Sequence, residues 1–367
     1  MKRHYFLGLA AGIKHPWRHF FAHGSRKDAS RLTKYLGERY NGEAILCKNG
    51  RSGLALALKA YFNHGDAIII NGFTCYAVYE AVKAAGLKPI FADISKRDLN
   101  FTTETLEKVV NDEAAGIIVQ NSLGNPVDME KIEHFAGKHG LVIIEDLAHC
   151  AGLKYPDGRE AGTVGAAAVL SFGKEKSIDT TSGGAVILRH PKRHEVMAPK
   201  KMPKISDYLR ERWYPVFGLW CRRLTRVRLG SPLMRALIAL HFVEKSADNK
   251  LDIERRPAYF EDKLALRQLK KLRPSNTRKL RIFYLVQDRE AVLAKLKATG
   301  YYFGGFWYEK PISPERYYKK VHFDEKACPV SMEVSKHIVN LPNYYTEKEL
   351  EKAKEIIEQN PYEGNAQ

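Results

Sequence analysis

Four short segments carry residue types that do chemistry once a fold brings them together. Lys48-Asn49-Gly50-Arg51-Ser52-Gly53-Leu54 combines glycines, a guanidinium and a hydroxyl. If a helix opens there, its first turn presents unpaired N–H groups to an anion, with Arg51 as a charged clamp and Ser52 as a hydroxyl. A turn with an ordinary N-cap fits the same letters, and neither GxxxxGK[ST] nor GxGxxG is present. Ile144-Glu145-Asp146-Leu147-Ala148-His149 places an acid just past an apolar run. A carboxylate there can hold a cationic ring nitrogen, and His149 can reach a neighbouring phenolate. Capping of the next helix is the plainer use of Asp146. Ser171-Phe172-Gly173-Lys174-Glu175-Lys176-Ser177 closes another apolar run with two lysines. Most lysines are solvated surface groups, but one that is desolvated or packed beside cations attacks a carbonyl as a free amine. Gly183-Gly184 permits close backbone approach before a further run.

An anion cradle, a carboxylate for a pyridinium nitrogen and a Schiff-base lysine are the parts that pyridoxal phosphate requires. Their order along the chain carries more than any one of them. The elements that must position them are short runs rich in β-branched residues: 67–71, 89–93, 116–120, 141–145, 167–171 and 184–188. Helical spacing lies between them, over 52–63, 77–85, 103–111 and 129–139. This alternation predicts an α/β fold with a mostly parallel sheet and helices on both faces. Ligands of such sheets lie at the carboxyl ends of the strands, where the four segments fall.

The chain has 367 residues, room for two domains. We expect a basic, aromatic N-terminal arm over 1–25, a large α/β domain over 26–256 and a small α+β domain over 257–367. Sixty Lys and Arg against 42 Asp and Glu give a net charge of +18, which attracts anions without choosing among them. The five scattered cysteines form no CxxC pair, so neither a zinc ribbon nor a disulfide framework is supported, and a reducing, cytosolic compartment fits. The first residues have a basic tip and a short apolar run, but Lys14, His15 and Arg18 interrupt it too early for a secretory signal. No run reaches the roughly 18–20 apolar residues of a membrane span.

The sequence resembles the DegT/StrS group of sugar aminotransferases, within the fold-type I pyridoxal phosphate enzymes, over about 40–192 and 257–358. Asn49-Gly50-Arg51-Ser52-Gly53-Leu54 is similar to that family's phosphate-binding Asn-Gly-Thr-x-Ala-Leu. Gly86 to Asp93 resembles its Gly-x-x-Pro-x-x-x-Asp segment, and Glu145-Asp146-Leu147-Ala148-His149 its Glu-Asp-x-Ala-(His/Gln). Ser171-Phe172 keeps the spacing to Lys176 and to the paired glycines. Cys328-Pro329 and Leu341-Pro342-Asn343 resemble the closing motifs. The resemblance implies that Lys176, not Lys174, forms the Schiff base and moves the proton. It implies that Asp146 keeps the pyridine nitrogen protonated and His149 contacts the ring hydroxyl. Ser171 and the N–H groups of Arg51 and Ser52 would then lie at the phosphate, and Asn121 near the ring. It further implies a homodimer that aminates a keto sugar, on a nucleotide, with glutamate as amino donor. Lys176 argues against the family's dehydrating members, which usually have a His there.

The sequence also departs from the family. Cys75 stands where an aromatic residue usually stacks on the cofactor ring, leaving Tyr76 or Phe73 as substitutes or a ring covered in a different way. The usual Gly-Glu before the glycine pair is missing, and Asn249 is the only candidate for the Asn-x-Arg element. A basic amphipathic insertion over about 200–245 mixes arginines with Trp213, Phe217 and Trp220. It reads as a solvated helical pair over the domain junction, or as a hairpin on the anionic inner face of a membrane. Nucleic-acid binding is the weakest reading, since no recognition motif appears. A non-catalytic relative that binds a membrane or partner through this segment is the rival to an enzyme.

Overall fold

The computed structural model describes residues 25–173, 175–180, 183–192, 213, 216–217, 220–221, 224, 229–240, 242, 262–299, 307–342 and 347–365. The expected N-terminal arm, apart from Ser25, lies outside these residues, as do Lys174, Asn249 and most of the basic insertion.

The strands are β1 (Glu43–Cys47), β2 (Ala67–Asn71), β3 (Thr74–Cys75), β4 (Lys88–Ala92), β5 (Ala114–Val119), β6 (Val142–Asp146), β7 (Ala167–Ser171), β8 (Gly184–Leu188), β9 (Arg281–Leu285), β10 (Ile312–Ser313) and β11 (Ile338–Pro342). The helices up to the insertion are α1 (Arg26–Tyr40), α2 (Gly50–Tyr61), α3 (Tyr76–Ala84), α4 (Thr103–Glu107) and α5 (Met129–Lys138). After them come α6 (Gly230–Ala239), α7 (Asp262–Lys271), α8 (Arg289–Ala298), α9 (Glu315–Tyr318), α10 (Pro329–His337) and α11 (Glu347–Glu358).

Seven strands form one sheet in the order β1-β8-β7-β6-β5-β2-β4. From β4 to β7 neighbours run parallel, and β8 pairs antiparallel with both β7 and β1. Side-chain alternation along the strands builds a core on each face. Ile69, Ile117, Val119 and Ile143 face one layer, where α1 contributes Leu32 and Leu36. Ile68, Ile70, Ile118 and Ile144 face the other, packed on Leu54 and Leu58 of α2 and Val78 and Val82 of α3. All six expected strands of the large sheet are present, and β1, Glu43–Cys47, adds an edge strand that the sequence reading passed over.

Beyond the insertion, β9 and β11 pair antiparallel, and α8 and α11 cover them with Val292, Leu296, Ala353 and Ile357. The boundary expected at 256/257 puts α7 in this smaller unit. Instead α7 buries Ala265 and Leu269 in the same core as Leu32 and Leu36 of α1. Ala265, Leu269 and Leu272 lie at helical spacing and are buried together in that cluster.

Two separate motifs turn out to be one joint. Asp93, just past β4, accepts hydrogen bonds from Val330 N (2.9 Å), Ser331 N (2.8 Å) and Ser331 Oγ (2.7 Å). It caps α10, which opens at Pro329 with Cys328 buried behind it. Asp93→Ala strands two buried donors and one part-buried donor, so it is expected to lower unfolding stability by about 1–3 kcal/mol in denaturant titration. Unchanged stability would contradict this account of the joint.

Candidate active site

The site forms where β6 and β7 end. Alternation along β6 sends Glu145 and Asp146 to opposite faces. Glu145 is fully buried and accepts four hydrogen bonds, from Tyr155 Oη, Gly162 N, Val164 N and Gly165 N. All its acceptor capacity is used in holding the loop before β7. Asp146 has the opposite situation. Its Oδ1 accepts from Ala148 N at 2.9 Å, and among the described residues no donor reaches Oδ2. Burial raises its pKa, opposed by the Ala148 hydrogen bond and the charge of Lys176. A buried carboxylate with one oxygen lacking a donor suits a cationic N–H partner.

His149 stands beside it. Leu123 N donates to His149 Nδ1 at 3.3 Å, which leaves the proton on Nε2 in the tautomer this bond selects. Burial, then Lys176 and Arg281, pushes its pKa well below the usual 6.5, so the ring is neutral at pH 7 and Nε2–H is a donor.

Lys176 follows β7 by five residues, in a turn where Glu175 adopts a left-handed φ of 63°. Desolvation lowers the Lys176 pKa below the usual 10.5. Cys75, Asp146 and Glu175 oppose the shift, and Arg281 adds to it. Lys176 and Asp146 each shift the other's pKa toward the charged form, so the amine and the acid act on one another electrostatically. Lys176 Nζ lies 4.8 Å from the ring centroid of Trp307 and Arg281 Cζ lies 4.7 Å from it. The Trp307 ring also meets His149 at 5.3 Å.

Arg281, the first residue of β9, is fully buried and pairs with Glu175 at 3.5 Å. Asn340 on β11 ties this group together. Its Oδ1 accepts from Arg281 Nε (2.6 Å) and Trp307 N (3.3 Å), and its Nδ2 donates to Trp307 O (2.8 Å). The small sheet thus reaches the residue that precedes the lysine.

The cradle lies across the cleft. Asn49 caps α2, with Oδ1 accepting from Ser52 N (2.8 Å) and Ser52 Oγ (3.0 Å). A Cβ on Gly50 would sit 2.8 Å from Ser171 Cβ, so glycine lets Ser171 meet the helix start. Gly184 allows the same approach from β8, where a Cβ would lie 2.7 Å from Gly50 N. The Arg51 side chain turns away and pairs with Glu80 of α3 at 2.7 Å.

Lys176 and His149 therefore gather on the Trp307 ring with Asp146 electrostatically near, and Ser171 meets the Gly50–Ser52 turn. Three other expected residues spend their side chains elsewhere. Asn121 is fully buried, donates to Tyr155 Oη (3.3 Å) and Cys150 Sγ (3.6 Å), and accepts from Val127 N (2.9 Å). Tyr76 stacks on Tyr317 at 4.5 Å, and Phe73 packs on Tyr308 at 4.6 Å. Cys75 caps α3, its Sγ accepting from Ala77 N at 3.5 Å, while remaining electrostatically coupled to Lys176. The ring beside the lysine is instead Trp307, which the sequence reading missed along with Arg281, Glu175 and Asn340. No local motif marks Trp307, Arg281 and Asn340, which come from distant elements, and Glu175, though it precedes Lys176 in sequence, gains its partner Arg281 only through tertiary contact.

A mostly parallel sheet with a lysine and an acid converging past its strand ends is the architecture of the fold-type I pyridoxal phosphate transferases. The chain belongs to the DegT/DnrJ/EryC1/StrS aminotransferase family, whose model matches residues 20–359. It is 30% identical over 234 residues to a GDP-perosamine synthase of Caulobacter vibrioides, covering 63% of this chain and 59% of that one. It is 36% identical over 145 residues to a pleiotropic regulatory protein of Geobacillus stearothermophilus, covering 39% of each. The matched stretches thus span 39% to 59% of these two relatives' own lengths. The fold matches the aminotransferase of Psychrobacter cryohalolentis with a TM-score of 0.65, at 18% identity over 91% of both chains. It matches the E. coli GDP-4-keto-6-deoxy-D-mannose-3-dehydratase with bound hydrated PLP with a TM-score of 0.67, at 16% identity, covering 97% of this chain and 100% of that one.

Proposed function

We propose that the chain is a pyridoxal phosphate-dependent aminotransferase that converts a keto sugar carried on a nucleotide to an amino sugar, with glutamate as donor. The observation that supports this most is the gathering of Lys176 and His149 on the Trp307 ring, with the amine's pKa lowered by burial and one Asp146 carboxylate oxygen receiving no donor among the described residues. When bound, the cofactor supplies an electron sink for the charge left at an amino-acid α-carbon.

The residues of the chain then divide the work. Asp146 Oδ2 holds the protonated ring nitrogen. His149 Nε2–H donates to the ring hydroxyl. Ser171 and the N–H groups at the start of α2 hold the phosphate, at the end of the helix that favours anions. Lys176 Nζ would anchor the cofactor's aldehyde carbon and, once the substrate amine displaces it, would be free to move the proton between the amino-acid α-carbon and that cofactor carbon. The net charge of +18 draws a diphosphate-bearing substrate. Subunits pair as a homodimer, as in the resemblance drawn above.

In this reading Trp307 covers the cofactor ring that Cys75 leaves uncovered. Trp307→Ala is then expected to weaken pyridoxal phosphate binding by about tenfold or more, read by absorbance titration, with Trp307→Phe retaining much of the affinity. Equal affinity in all three proteins would remove Trp307 from the site.

The proposal is tested by incubating the purified protein with pyridoxal phosphate and glutamate. A loss of the visible band with stoichiometric release of 2-oxoglutarate supports it. A panel of nucleotide keto sugars then identifies the acceptor. A colourless protein that takes up no cofactor would leave only a binding relative of the fold.

A further inference from the structure

Every large hydrophobic side chain that stands exposed among the described residues falls in one segment. Trp220, Leu224, Leu229, Leu233, Leu240 and Phe242 are 37–66% exposed, all within the 23 positions from 220 to 242. Soluble surfaces scatter such residues singly, and a concentrated patch marks an interaction site. The α6 stretch gives the patch a shape. Leu229, Leu233 and Leu240 are spaced by four and seven residues, which sets them on one helical face, and the exposed Ala236 lies between them. The segment is seated on the protein from its other side, where Val216 and Cys221 are buried and Leu237 and Ile238 are half-buried. Upstream, Trp213, Phe217 and Trp220 form a ladder with ring centroids 5.4 and 6.4 Å apart.

The charge of the segment's sequence decides what it meets. Between Trp220 and Phe242 the sequence carries Arg222, Arg223, Arg226, Arg228 and Arg235 and no Asp or Glu. A second copy of the chain would bring like charge against like charge. An anionic phospholipid surface offers phosphates for the guanidiniums and an acyl boundary for the leucines, with Trp at the interface. With ten residues α6 is too short to span a bilayer, and no helix among the described residues is long and apolar enough to cross a membrane. A face of this length and chemistry lies along the surface.

We propose that the exposed face of Leu229, Leu233 and Leu240 docks the protein on an anionic phospholipid membrane, with the arginines of the surrounding sequence supplying the charge. This goes beyond the aminotransferase reading and does not depend on it. Apolar burial and arginine–phosphate attraction act together, so binding weakens with salt but keeps an apolar component.

The full chain is to be co-sedimented with vesicles of equal parts phosphatidylglycerol and phosphatidylcholine, and with phosphatidylcholine vesicles alone, from about 0.1 M to about 1 M salt. Binding to the anionic vesicles at low salt, weaker at high salt and much weaker on neutral vesicles, is expected. Leu233→Glu/Leu240→Glu should lower partitioning roughly tenfold or more, with the unfolding midpoint, the sedimentation coefficient and the cofactor spectrum unchanged. Lys176→Ala should bind vesicles like the native protein, which separates this result from the fate of the catalytic reading. The proposal is overturned if the native protein stays in solution with anionic vesicles at low salt. It is equally overturned if the double variant binds as well as the native chain, or if that variant dissociates a dimer, since the face would then be a subunit interface.

Discussion

Lys176→Ala is expected to abolish amino transfer while leaving the fold intact. Loss of the general base alone removes roughly 10²–10⁴ in rate, and loss of the anchoring amine adds to that. The native state should tolerate the change, because the lysine is a half-buried group whose burial disfavours its charge. The lowered pKa makes a further statement about pH. The rate at which the protein takes up pyridoxal phosphate should rise with pH as the amine loses its proton, then level off above a midpoint below 10.5. A midpoint at or above the usual lysine value would show that the cleft does not desolvate Nζ. Full transfer activity in Lys176→Ala would refute its assignment.

Asp146→Asn is expected to be the second most damaging change. It preserves the shape and the hydrogen bond from Ala148 but removes the negative charge that would face a cationic ring nitrogen. Transfer should fall by about 10²–10³, the scale of losing one preorganised electrostatic partner. The same substitution carries an internal control. Asp146 raises the Lys176 pKa, so without its charge the midpoint of cofactor uptake should move down. Slower transfer together with an acid-shifted midpoint supports a charge role for Asp146. Slower transfer with an unmoved midpoint would mean that Asp146 acts only by packing.

Much of the site was legible because fold-type I chemistry sits on contiguous strand ends. Asp146 ends β6, Ser171 ends β7 and Gly50 opens α2, so reading the strands located the side chains. Where the reading erred, short-range letters did not fix side-chain direction. Asn121 follows β5 as expected, but its left-handed φ of 52° turns the amide to Tyr155 and Val127. Arg51 sits at the cradle, yet Glu80 one helix away claims its guanidinium. Tyr76 lies next to the substituted Cys75, and Tyr317 takes its ring. The contribution of the small unit was not legible at all. Arg281 is one basic residue among sixty, and only the pairing of β9 with β11 brings it to Asn340, Glu175 and Trp307. The role of α7 was misplaced for a related reason. Its amphipathic stripe is plain in sequence, but which core it faces depends on α1, more than 200 residues earlier.

That arrangement also gives the basic insertion and the cleft separate duties. The site gathers at the sheet's strand ends, where β9 and β11 bring Arg281 and Asn340 to Trp307 beside Lys176. The exposed leucines of α6 take no part in it. Substitutions on the two should therefore add independently.

Borohydride reduction of the protein loaded with pyridoxal phosphate, followed by mass mapping of the labelled peptide, reaches the core assignment directly. A single phosphopyridoxyl adduct on Lys176, missing in Lys176→Ala, is the result this account predicts. An adduct on Lys174 or on scattered surface lysines, or none in a protein that still transfers amino groups, would contradict it.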